Sequence, residues 1–199
     1  MEGDPMSTGR NSAGRNRTSS REQSTKIAFC GLIVGVAVVL MLAGGIIPIA
    51  TYCTPMLAGI LLLPVLLEFG QRAALTAYAA TALISLILGI DKEASFFFLF
   101  LGYYPIVKWQ LDRRIRSKPL RLLCKLCIYN LSVALMYALL GLVLNMEAIV
   151  AEFSGMGAGL LAAFVVLFNI CMLLYDRLLM PLVFLYANRI RPKLRFLRQ

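Results

Sequence analysis

The chain has 199 residues and a mass of 22.0 kDa, room for a single domain with a tail. It is 60% hydrophobic and only 15% charged, with a mean hydropathy of +0.79, against roughly 45–50% apolar and about 25% charged in an ordinary soluble domain. Too little polar surface remains to cover a water-soluble globule, so a soluble enzyme, a disordered chain and a disulfide scaffold are set aside in favour of an all-α, polytopic membrane bundle.

Lys and Arg number 20 against 10 Asp and Glu, giving a net charge of +10. In a soluble protein that excess would suggest nucleic acid. Here the basic residues fall between apolar runs, which points instead to orientation in a bilayer and to anionic lipid at the basic loops, with no nucleic-acid partner. There is no histidine. Imidazole-based nucleophile activation, HExxH metal sites and His proton relays are therefore absent.

Residues 1–26 are rich in Ser, Gly, Arg and Asn and carry no apolar periodicity. They read as a disordered, basic cytoplasmic tail. The first apolar run, Ile27 to Ala50, is too long for a signal-peptide core and reads as a membrane span. The second is Thr54 to Phe69, closed by Glu68-Phe69-Gly70-Gln71-Arg72, and the third is Ala73 to Ile90, closed by Asp91-Lys92-Glu93. The fourth, Ala94 to Val107, is aromatic and ends at Lys108-Trp109. A basic loop with Arg113, Arg114, Arg116, Lys118 and Arg121 precedes the fifth run, Leu122 to Leu144. The sixth runs from Gly157 to Tyr175. Asp176-Arg177 interrupts it, and 176–187 reads either as a continuation or, the version favoured here, as a separate interfacial helix that leaves both charges wet. Residues 188–199 form a second basic tail.

Six spans over 27–187 with both termini in the cytoplasm place nearly every Lys and Arg inside. Lys92 is then the one basic residue in the outer segments 50–54, 91–93 and 145–156.

Few residues carry chemistry. The third run repeats small residues every four positions, Ala73, Ala77, Thr81, Ser85 and Gly89. Such a ridge lets another backbone approach closely, either a sister helix or a partner subunit. Asn130 and Asn169 lie inside the fifth and sixth runs and need hydrogen-bond partners in hydrocarbon. No Asp, Glu, Lys or Arg reads as lying at mid-span, which argues against an ion-coupled pump. At the outer face, Tyr52, Asp91, Glu93, Asn145, Glu147 and Glu152 could line a polar pocket for a cationic or neutral solute. Cys124 and Cys127 form one CxxC pair without the two further ligands a zinc site needs. No paired carboxylates, nucleophile-base pair or Walker motif is present. The expectation is a protein that is not an enzyme and holds no cofactor or metal.

The six irregular apolar runs, the cytoplasmic ends and the small residues Ala28, Gly31 and Gly35 of the first run resemble the substrate-binding S components of bacterial energy-coupling-factor transporters. The resemblance covers 27–187. It implies a plasma-membrane capture subunit that binds vitamins or metals near the outer face. It also implies that Ala28, Gly31 and Gly35 dock a transmembrane coupling subunit, which works with an ABC-type ATPase. Gly102-Tyr103-Tyr104-Pro105 with Lys108 is similar to a segment of uncharacterised membrane proteins of Gram-positive anaerobes and implies no function. The competing expectation is a non-transporting membrane scaffold or assembly protein with filled helix interfaces.

Overall fold

The computed structural model describes residues 8–45, 50–89, 91–143, 155 and 157–192. Among these residues there is helix and turn and no strand. Four stretches, Gln23–Gly44, Leu63–Leu88, Lys118–Gly141 and Gly159–Ile190, are long and apolar enough to cross a membrane.

Helix α1 spans Thr8–Gly44. It begins within the segment read as a disordered tail, so the boundary at residue 26 is not a helix end. That boundary marked where apolarity starts, and hydropathy does not report backbone conformation. Between Pro5 and Pro48 no proline interrupts the helix.

The second apolar run is split. α2 spans Cys53–Leu61 and α3 spans Leu63–Leu88, with Leu62 between them. Pro64 sits in the first turn of α3, where its missing N–H costs no helical bond. Within α3 the backbone leaves helical geometry at Gly70, with φ 81° and ψ −178°. That region is essentially closed to residues with a side chain. The charged boundary read in the sequence between the second and third runs therefore coincides with a glycine-only break. Phe69, just before it, packs edge-on against Phe29 of α1 at 5.7 Å.

The fourth run is also two helices, α4 (Lys92–Leu101) and α5 (Tyr104–Arg114). Gly102 joins them, and a side chain there would run into the carbonyl and ring of Phe98. α6 spans Lys118–Val143 and α7 spans Ala158–Leu185, followed by a π turn over Tyr186–Ile190. α7 passes through Asp176 and Arg177 without a break. This corrects the favoured separation of 176–187 as an interfacial helix.

The core combines Leu62, Val65, Phe98, Ile106, Tyr129 and Leu179, all at most 2% exposed. The exterior is apolar as well, with Ile87 at 77%, Leu131 at 70% and Phe184 at 70% exposure. An all-round apolar helix such as α7 suits hydrocarbon on its outer face.

Candidate functional site

Tyr104 and Lys108 of α5 and Lys125 of α6 converge on Asp176 of α7. Tyr104 donates to its Oδ1 at 2.6 Å. Lys108 Nζ lies 2.9 Å from the same oxygen and also donates to the Asp176 backbone carbonyl. Lys125 Nζ reaches both carboxylate oxygens, at 3.1 and 3.3 Å. Lys125 also bridges to Asp112 at 2.7 Å, and Arg121 Nε approaches Asp112 at 3.4 Å. Both lysine side chains are less than a tenth exposed.

The cluster explains the unbroken α7. Asp176 turns inward onto two ammonium groups and a phenol, while Arg177 stays on the exterior. A carboxylate neutralised in this way needs no water, so the helix has no reason to end. The sequence reading missed it because it took Asp176-Arg177 as an interruption of the sixth run and read no charged residue as lying at mid-span. Asp176 in fact sits near the middle of the apolar stretch Gly159–Ile190. The only local hint was the Asp176-Arg177 pair inside an apolar run; the partners of Asp176 are 51, 68 and 72 residues away.

Beside the cluster is a cavity of about 120 Å³, bounded by Leu63, Pro105, Lys108, Trp109, Leu179 and Val183. The Arg113 guanidinium covers Trp109 at 4.5 Å from the ring centre.

The outer candidates are tied up internally. Thr51 donates to Asp91 Oδ2 at 2.8 Å, and Asp91 Oδ1 caps α4 by accepting from Ala94 N at 3.1 Å. Tyr52 donates to Glu93 Oε1 at 2.7 Å, and Tyr137 donates to the same oxygen at 3.3 Å. The Tyr52 ring packs edge-on against Phe97 and Phe168, at 5.4 and 5.6 Å. Burial, then the bond to Glu93, pushes the Tyr52 phenol well above its ordinary pKa. Asn145, Glu147 and Glu152 lie outside the described residues.

The small ridge of α3 faces the chain itself. Ala73, Ala77, Thr81 and Ser85 are buried, the last two completely. Ser95 of α4 donates to the Ser85 carbonyl at 2.9 Å, and Gly89 N donates to it at 2.7 Å. Ala28, Gly31 and Gly35 of α1 are exposed, and nothing lies within 4 Å of a side chain built at Gly31 or Gly35. Asn130 and Asn169 exchange amide hydrogen bonds at 2.8 and 3.2 Å, joining α6 to α7.

All five cysteines are free thiols. Among the described residues no group of three or more Cys, Asp or Glu is placed to hold a metal ion.

These features define an all-helical protein with membrane-type apolar helices, held at one junction by a buried ion-pair cluster. Comparison with family models, with curated proteins and with solved structures returned no match.

Proposed function

We propose that the chain is a six-span protein of the bacterial plasma membrane, with both ends cytoplasmic, that serves as a non-enzymatic scaffold for other membrane components. One observation carries this reading. At the outer end Asp91 and Glu93 are already partnered by Thr51, Tyr52 and Tyr137. The cavity below them, between Pro55, Met56, Phe97 and Tyr175, has a volume of only about 10 Å³, room for at most one water. A capture subunit would need its polar outer groups unspent and a cavity of solute size.

A second reading, an S-component-like capture subunit, draws support from Gly31 and Gly35. They lie open on α1, where the resemblance places a coupling subunit. Affinity purification of the tagged chain from native membranes in mild detergent separates the two. Recovery of an ABC-type ATPase with a transmembrane coupling subunit favours capture. Recovery of other membrane proteins, without an ATPase or a retained solute, favours the scaffold.

Orientation has its own test. In single-cysteine variants within intact cells, a membrane-impermeant maleimide should label Cys53 and not Cys124. The reverse pattern would overturn the proposed topology.

A further inference from the structure

Between α1 and α3 runs an open groove of about 530 Å³. Its walls are small and apolar, with Gly31, Val34, Ala73 and Ala77 among them. From Lys26 to Val34 on one wall, and from Arg72 to Ala80 on the other, it extends about 12 Å at the helical rise. Both cations stand at the same end: Lys26 lies over the Phe69 ring at 5.8 Å, and Arg72 comes three residues after Phe69, just past the break at Gly70. Among the described residues no carboxylate lines the groove. The nearby Glu68 is engaged by Arg191 at 2.9 Å. Neither Lys26 nor Arg72 pairs with an acid among the described residues.

We propose that this groove binds one anionic phospholipid, its phosphate between Lys26 and Arg72 and an acyl chain along Gly31, Val34, Ala73 and Ala77. Two cations without a carboxylate partner among the described residues, set above an apolar trough, match a headgroup phosphate joined to hydrocarbon, and a zwitterionic headgroup would bring its own cation against them. The inference rests on the proposed orientation, which puts this end of the groove at the anionic cytoplasmic leaflet.

The test does not depend on orientation, so its failure is distinct from that of the topology experiment. The full chain, purified in detergent, is titrated with phosphatidylglycerol and with phosphatidylcholine of identical acyl chains, and bound lipid is counted by native mass spectrometry. The expected result is one phosphatidylglycerol held about tenfold more tightly, a preference within reach of two nearby cations. K26Q with R72Q should make the two lipids equal. K26R with R72K should keep the preference, and K118Q, outside the groove, should leave it unchanged. A77F should lower retention of both lipids by filling the trough. Equal retention by the native chain, or a preference that survives K26Q with R72Q, overturns the site. So does a partner's transmembrane helix cross-linked to Cys30 in the groove.

Discussion

Lys108 Nζ stands 2.9 Å from Oδ1 of Asp176 and joins α5 to α7 across 68 residues of sequence. The pair is part of a five-residue network in which two carboxylates, Asp112 and Asp176, meet Lys108, Lys125 and Arg121. Removing Asp176 leaves the buried Lys108 ammonium without its carboxylate, while Lys125 keeps Asp112.

Asp176→Asn should therefore cost about 3–5 kcal/mol, the range for breaking a buried ion pair. Adding Lys108→Met should recover part of the loss, because it removes the stranded ammonium. Thermal unfolding in detergent measures both. The single Trp109 borders the adjoining cavity, so its emission should shift in D176N before global unfolding. Equal melting temperatures for D176N and the native chain would show that the network contributes nothing.

Asn130→Leu and Asn169→Leu should each destabilise the α6–α7 contact, and the double variant should cost less than the two together. The reciprocal amide bonds predict a coupling energy of about 0.6–1.7 kcal/mol, the scale of interhelical hydrogen bonds in membranes. A double-mutant cycle reads it directly. Additive single effects would mean that each amide is satisfied by its own helix, since each also donates to a carbonyl four residues back.

Gly70→Ala should destabilise the chain by about 1–3 kcal/mol, the cost of holding a side-chain residue in a glycine-only conformation. Nothing lies within 4 Å of a side chain built there, so the penalty is conformational and not steric. Gly31→Ala, equally open but not among the positive-φ glycines, should be close to neutral. The difference between their unfolding midpoints checks the assignment.

On the small ridge, Thr81→Leu should be worse than Ala77→Leu. Thr81 is completely enclosed, whereas Ala77 borders the open groove and a larger side chain can lean into it. Overpacking a closed site costs about 1–3 kcal/mol. A T81L chain that melts like the native one would mean that the ridge tolerates expansion.

Much of the architecture could be read locally. Runs of apolar residues long enough for helices, the break around Gly70 and the need of Asn130 and Asn169 for partners all follow from side chains close in sequence. The two-helix form of the fourth run is only half local: Pro105 removes a helical hydrogen bond wherever it sits, but the close approach of Gly102 to Phe98 belongs to the folded chain. At the outer face, Tyr52, Asp91 and Glu93 looked like groups awaiting a solute. Folding brings Thr51, Tyr52 and Tyr137 onto the two carboxylates, so they serve one another.

By itself the sequence determined the helical class, the membrane-type composition and the asymmetry of basic charge, because hydropathy and charge are sums over neighbouring residues. Only the tertiary structure decided that Asp176 is an interior residue of a continuous helix and not the edge of a shorter one. Whether a carboxylate demands water depends on what faces it, and Tyr104, Lys108 and Lys125 arrive there from helices that no local pattern connects to α7.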